Sequence, residues 1–308
     1  MDSVAVTKGI NYKSRERSLV ARNRMIGYAF LLPNLLGFII FTLLPVLAAL
    51  LLCFVEWDSS NPIKFVGIKN FIKIFKDETF RISLWNTFYY TAANVPLTIA
   101  FSLMLAMLLN KGLKGVKFFR AIFFFPYISS LVAVAVVWNM LFHPSMGPIN
   151  LFLKGIGIMN PPGWTSSTQW AMPAVIIVSI WRQLGYYMVI FLAGLQGIPG
   201  ELYEAATVDG ANGWRKFWNI TVPMLTPTTF FISIMLMIGS FKVFDQVFIM
   251  TQGGPGRATN VLVYHIYNQA FLNFEFGYAS ALAMVLFLIV ITITIIQFKI
   301  EEKWVNYM

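Results

Sequence analysis

Arg182, Lys242 and Asp245 fall inside long apolar runs, where charge is least expected. A charge at membrane depth is costly, and where it persists it faces a cavity or a partner. Trp181 and Gln183 flank Arg182, with Tyr186 and Tyr187 about one turn on. Gln246 follows Asp245, and Phe241 and Phe244 lie close by. A ring face beside hydrogen-bonding groups suits a sugar: its C–H face packs on the ring, and its hydroxyls need donors and acceptors. Lys242 and Asp245 are three apart, so on an unbroken helix they share a face and can pair. The same residues also fit a reading without any ligand, as ion pairs and hydrogen bonds between packed membrane helices. Asn94, Trp138 and Asn139 are further candidates of the same kind. Covalent chemistry has no foothold. Cys53 is the single cysteine, and His143 and His265 have no neighbouring cysteines or clustered acids, so neither a metal site nor a nucleophile–base pair is expected. No Gly-Lys dipeptide occurs, so the chain has no phosphate-binding Walker A loop.

The elements carrying these residues must be membrane spans. Of 308 residues, 58% are hydrophobic and 12% charged. A soluble domain is closer to half apolar and about a quarter charged. The net charge of +10 gathers at the ends of apolar runs, as topology determinants do, and not in a stripe fit for nucleic acid. A helix needs about 20 mainly apolar residues to cross a bilayer. Six segments qualify: Ile26–Phe54, Leu84–Leu109, Phe118–Phe142, Trp170–Leu195, Thr226–Met250 and Tyr278–Phe298. The first exceeds the bilayer thickness and should tilt or bend, at Pro33 or Pro45. It is too long for a signal-peptide core and no small-residue cleavage site follows, so it is expected to be retained.

Residues 1–25 are expected to form a mobile basic tail, 26–298 the membrane unit and 299–308 a second tail, with no division of the spans into separate domains. Lys8, Lys13, Arg15, Arg17, Arg22 and Arg24 precede the first span. With the second and fourth loops and the C-terminal tail, that face carries fourteen Lys and Arg, against seven on the other. Five of the seven (Lys64, Lys69, Lys73, Lys76 and Arg81) crowd the first loop, an exception to the rule. The majority predicts both termini in the cytoplasm.

The fourth loop, 199–223, then lies in the cytoplasm too. Pro199 suits a helix start, Glu201 favours the first turn, and Glu201–Val208 is good helix sequence. Gly210 permits a sharp turn, and Trp214–Ile220 can form a second short helix with Trp214, Phe217 and Trp218 at the membrane interface. Ala205 and Ala206 leave a low surface for another protein to approach. On physics alone, an elbow joining two spans and a docking element fit equally well.

The spacing Glu204-Ala205-Ala206, three residues, Gly210, nine residues, Ile220-x-x-Pro223 resembles the signature loop of ABC importer permeases. Val222 stands where that family usually has Leu. With T-Q-G-G-P-G from Thr251 and F-G-Y-A-S-A from Phe276, the likeness extends to the carbohydrate-uptake branch and its maltose-type first permease. It implies an all-α type I importer fold of six transmembrane helices in a bacterial cell membrane. It implies a non-catalytic subunit working by alternating access, with a second permease, two ATPase subunits that bind ATP and Mg, and an extracytoplasmic solute-binding protein. Glu204, Ala205, Ala206, Asp209 and Gly210 would contact the ATPase. Trp181, Arg182, Gln183, Tyr186, Lys242, Asp245 and Gln246 would line a carbohydrate pathway. Gly253–Gly256 would lie near the binding protein, although a simple turn explains that run equally well. A phosphorylated polyol such as glycerol phosphate is the rival cargo; a Lys242–Asp245 pair would leave less positive charge for phosphate and so favours neutral sugar. An ion-coupled secondary transporter is a more distant rival, since the paired halves with broken helices are not evident.

Overall fold

The structure, a computed structural model, describes residues 12–58, 60–111 and 114–305. Lys8 and the rest of residues 1–11 lie outside the described residues, as do 306–308. The chain divides into two compact units, Met1–Leu52 and Cys53–Met308.

The first unit is helical from Tyr12: α1 (Tyr12–Phe38), a π-helical turn (Ile39–Leu43) and α2 (Leu44–Leu52). Residues 12–25 are the opening turns of that helix. Pro33 is accommodated within α1. The irregular turn falls immediately before Pro45, whose missing N–H and bulky ring disrupt the preceding turn.

The second unit begins with a small antiparallel hairpin, β1 (Val55–Glu56) and β2 (Lys64–Phe65), pairing Val55 with Phe65 and Glu56 with Lys64. Then come α3 (Lys69–Lys76), α4 (Glu78–Leu109), α5 (Val116–Ile128), α6 (Leu131–Leu141), α7 (Pro148–Gly155) and α8 (Ala171–Gly197). The short helices α9 (Gly200–Val208), α10 (Gly213–Lys216) and α11 (Val222–Met224) lead to α12 (Thr226–Phe241) and α13 (Asp245–Met250). The chain closes with α14 (Leu262–Tyr267) and α15 (Phe276–Trp304). Among the described residues four helical runs are long and apolar enough to cross a membrane: Arg22–Leu52, Glu78–Leu109, Ala171–Gly197 and Phe276–Glu302. Two sharply bent pairs raise the number to six if each counts as one span.

Two of the expected spans are not continuous helices. The third breaks between α5 and α6, which meet at 98°. Pro126 lies in the last turn of α5, Ser129 adopts extended backbone, and its hydroxyl donates back to the Phe125 carbonyl at 2.9 Å. The chain turns by 63° between Met224 and Thr226, just ahead of the fifth, whose helix then stops at Phe241, with α13 beginning only at Asp245. The interruption allows Phe241, Val243 and Val247 all to be buried, which an unbroken helix through these positions would not do.

α8 is the central element. It packs on α4, α5, α12 and α13, and buries Val175, Val178, Met188 and Phe191 completely or nearly so. Gly185 makes its crossing with α5 possible: a Cβ there would sit 1.8 Å from the Phe123 carbonyl oxygen. At the opposite end of α4, Asp77 caps the helix through the Thr79 amide at 2.8 Å. The same carboxylate takes hydrogen bonds from the Tyr278 hydroxyl at 2.7 Å and from His265 Nε2 at 3.1 Å, joining α4, α14 and α15.

Candidate functional site

The elbow between α8 and α12 has its own internal bracing. Gly210 takes φ +73°, a left-handed conformation that a side chain resists, and turns the chain out of α9. Asn212 caps α10 by accepting from the Arg215 amide at 2.9 Å. Lys216 Nζ donates to Thr207 Oγ1 at 2.7 Å, and the Tyr203 hydroxyl meets Thr221 Oγ1 at 2.9 Å. Tyr203, Ile220 and Met224 pack against a buried cluster that includes Leu195, Ile198 and Leu225. The inner side of α9 is thereby anchored to the ends of α8 and α12. Glu204, Ala205, Asp209 and Gly210 are exposed and Ala206 is half-buried. Val208 is 88% exposed, a large apolar side chain with no cover in this chain. Trp214, Phe217 and Trp218 form a ring cluster with centroids 5.1 to 6.2 Å apart, and Trp214 and Trp218 remain exposed.

Within the helical bundle the polar candidates divide into two groups. Asn94 on α4, fully buried, donates to Ser240 Oγ on α12 at 3.0 Å and reaches Gln183 Oε1 on α8 at 3.5 Å. Three helices therefore share one polar layer. Also on α8, Tyr186 stacks on Tyr127 at 4.3 Å, and Trp181 meets Trp138 edge-on at 5.4 Å. Trp181 stays 41% exposed after that contact, so ring surface remains open.

Arg182 has a structural duty that the sequence did not reveal. Its Nη2 donates to the Tyr127 carbonyl at 3.2 Å, and its guanidinium lies 5.5 Å from the Tyr127 ring centroid. That carbonyl belongs to the last turn of α5, where the helix break removes its backbone donor and the helix dipole favours a cation. Nε of Arg182 is buried without a hydrogen-bond partner.

The expected Lys242–Asp245 pair is not made. Lys242 ends α12 and Asp245 opens α13, so they do not share a helix face. Among the described residues the ion pairs are Lys69–Glu56, Lys73–Glu275, Arg257–Glu78 and the His265–Asp77 contact. Both Lys242 and Asp245 are exposed, whereas Gln246 is buried. Phe241 packs edge-on against Phe88, and Phe244 stacks with Phe248. Asn139 donates to the Met250 carbonyl at 3.3 Å while its own Oδ1 is buried without a partner. The Gly253–Gly256 run forms a turn with positive φ at Gly253 and Gly256. Asn86 clamps the following segment to α4 through the Arg257 and Asn260 carbonyls, both at 3.0 Å.

Sequence reasoning passed over the Asp77–His265–Tyr278 cluster. Burial pushes the Asp77 carboxyl up, but the Tyr278 hydrogen bond, the His265 charge and the Phe80 and Thr79 amides outweigh it, leaving a net depression. Burial lowers His265 more than Asp77 raises it. The imidazole is therefore neutral near pH 7, and its Nε2–H donates to an ionised carboxylate that can only accept. The three residues are 188 and 201 positions apart in the chain, so no local spacing announced them.

The elbow and the helical arrangement define a transport-system permease. Residues 98–305 match the family described as binding-protein-dependent transport system inner membrane component, and the chain belongs to that family. It is 40% identical to the probable ABC transporter permease protein YesP of Bacillus subtilis, over 97% of both chains. It is 34% identical to the sn-glycerol-3-phosphate transport system permease protein UgpA of Agrobacterium fabrum, over 94% of this chain and 99% of that one. It is 35% identical to the diacetylchitobiose uptake system permease protein NgcF of Streptomyces coelicolor, over 88% of this chain and 80% of that one. The crystal structure of a bacterial ABC transporter for the acidic polysaccharide alginate superposes with a TM-score of 0.83 at 23% identity, covering 95% of this chain and all of that one. The fold is thus that of a type I ABC importer permease. The chain is a non-catalytic membrane component, and ATP hydrolysis belongs to a separate subunit.

Proposed function

We propose that this permease forms, with a second permease subunit, the membrane pathway for an oligosaccharide. Both termini lie in the cytoplasm, and α9 seats in a cleft of an ATPase subunit. Closure of the two ATPases on ATP pushes α9, and the spans rock to open the pathway outward. A solute-binding protein then delivers the sugar, and hydrolysis returns the pathway to its inward-open form. The observation that carries this reading is the exposed face Glu204–Gly210 on a helix anchored to α8 and α12 by Tyr203 and its neighbours. Force applied to α9 would reach the two helices that hold the Asn94–Gln183–Ser240 layer. The open ring of Trp181 supports a carbohydrate cargo, as does the likeness to a diacetylchitobiose permease.

A second cargo has its own support. With Lys242 free of Asp245, the argument for a neutral solute from their mutual charge cancellation falls. The likeness to an sn-glycerol-3-phosphate permease points the same way, toward a phosphorylated polyol. One experiment separates the cargoes. The importer is reconstituted with its ATPase, second permease and binding protein, and ATP-dependent uptake of oligosaccharide and of glycerol phosphate is compared for wild type, Trp181→Ala, Asp245→Ala, Gln246→Ala and Lys242→Gln. An oligosaccharide permease loses uptake with the first three. A loss confined to Lys242→Gln and to the phosphorylated solute favours the second cargo. Uptake without ATP would overturn the mechanism altogether.

A further inference from the structure

The short helix α3 has three faces of different character. Asn70 and Ile74 turn into the protein, and Asn70 Nδ2 donates to the Cys53 carbonyl at 3.0 Å and the Val55 carbonyl at 2.9 Å. These bonds fix the rotation of the helix. Ile68, which caps it, then forms with Ile72 and Phe75 an outward stripe at spacings of four and three, on one side of a helix. The three are 64%, 49% and 81% exposed, and Phe65 on β2 beside them is 76% exposed. Lys69, Lys73 and Lys76 follow the same spacing on the neighbouring flank.

This arrangement is wasteful for a loop in water. Exposed apolar residues in one contiguous stripe mark a contact surface. At eight residues the helix is about 12 Å long, too short to cross a bilayer. Only Asp77 separates it from α4, one of the helices long and apolar enough to span. The expected span begins at Leu84, seven residues after Asp77, so covalent continuity keeps the end of α3 within about 10 Å of the level where a span leaves the hydrocarbon. An apolar stripe flanked by lysines at that depth is the pattern of a helix lying in the membrane surface, with ammonium groups reaching up to headgroup phosphates. Lys73 is held by Glu275 and by the Tyr278 ring, 4.2 Å from its centroid. Lys69 has only a 3.7 Å contact with an exposed Glu56, and Lys76 forms no ion pair among the described residues.

We propose that α3 is a membrane-surface helix that seats Ile68, Ile72 and Phe75 among acyl chains and binds anionic phospholipid headgroups through Lys69 and Lys76. This also gives a reason for the lysines of the first loop, which run against the charge distribution of the other loops. The leaflet follows from the orientation proposed above; the lipid contact itself does not depend on transport.

The test uses the full chain in nanodiscs of phosphatidylcholine, with or without phosphatidylglycerol. An environment-sensitive fluorophore is attached at Phe75→Cys or Ile68→Cys, with an Asn61→Cys label as the water-facing control. Cys53 is fully buried and does not compete for the label. The expected result is quenching of both α3 labels by shallow spin-labelled lipid and not by iodide, with the control showing the reverse. In the phosphatidylglycerol discs, Lys69→Gln and Lys76→Gln should each lower the ratio of docked to undocked label roughly fivefold, the effect of about one headgroup attraction per lysine. Iodide quenching at both α3 positions overturns the proposal. So does lipid quenching that neither phosphatidylglycerol nor the lysine variants alter. Loss of lipid quenching when the second permease or the binding protein is added also overturns it, and assigns the face to that protein. ATP-driven uptake measured on the same labelled chains reads the transport proposal separately, so either can fail alone.

Discussion

The hydroxyl of Tyr203 on α9 lies 2.9 Å from Thr221 Oγ1, across the elbow and just before α11. One side chain thus ties the outward-facing helix to the start of the chain's return into the bundle. Removing only that oxygen, in Tyr203→Phe, should cost about 1 kcal/mol of stability, the usual net worth of such a bond. The thermal midpoint of the purified protein should fall slightly. ATP consumed per solute transported should rise more noticeably, because α9 would move without carrying α12 along. Unchanged stoichiometry would make Tyr203 a packing residue only.

Glu204→Arg reverses the charge of an exposed position without touching the core. Uptake should drop by about tenfold or more, since reversing a charge within a docking surface disturbs its electrostatic match to the partner. The amount of protein in the membrane should not change. Wild-type uptake by this variant would remove Glu204 from the coupling surface.

Gly185→Ala places a methyl group where the Phe123 carbonyl oxygen already lies 1.8 Å from the ideal Cβ position. Overpacking of this kind costs about 1–3 kcal/mol. The variant should unfold at a lower temperature and label more readily at residues on the α5–α8 contact. Gly197→Ala, with nothing within 4 Å of its Cβ position, is the matched control and should be nearly neutral.

Acid should loosen the junction of α4, α14 and α15. His265 is depressed below its ordinary value of 6.5, so as pH falls past that value the unfolded chain takes up a proton that the folded one refuses. Stability therefore declines on acidification. Asp77, also depressed, contributes stability above its ordinary value of 3.8 that is lost as pH drops through its folded value. Both effects have the same sign, and the histidine acts first. Thermal midpoints measured from pH 7.5 to 5.5 should fall for the wild type. The same series for His265→Gln should be flatter over that interval, and an equally steep one would assign the sensitivity elsewhere.

The elbow could be read from the chain because its determinants are local. Pro199 opens α9, Gly210 supplies the left-handed residue and Asn212 caps α10, each within a few positions of its effect. The long spans were readable for a similar reason, since the length and apolarity of α4, α8 and α15 are properties of single segments. The first break had a local signal that the reading passed over, Pro126 in the last turn of α5, but the second had none. Nothing at Lys242–Phe244 forbids a helix by composition, and the interruption exists because Phe241, Val243 and Val247 are all drawn into the core. Once it exists, Lys242 and Asp245 part company, and a helical spacing that promised a pair delivers none.

By itself the amino-acid sequence determined where the apolar segments lie and how the elbow turns, because burial of apolar length and backbone preference act over a few residues at a time; the permease came from the likeness of the Glu204–Pro223 loop to a family signature and not from those forces. Tertiary structure alone decided that Arg182 serves the Tyr127 carbonyl, that Asn94, Gln183 and Ser240 meet in one layer, and that His265 and Tyr278 share the Asp77 carboxylate. Each of those contacts joins helices distant in the chain, and each follows from a buried polar group needing a partner that only the packed bundle could bring within reach.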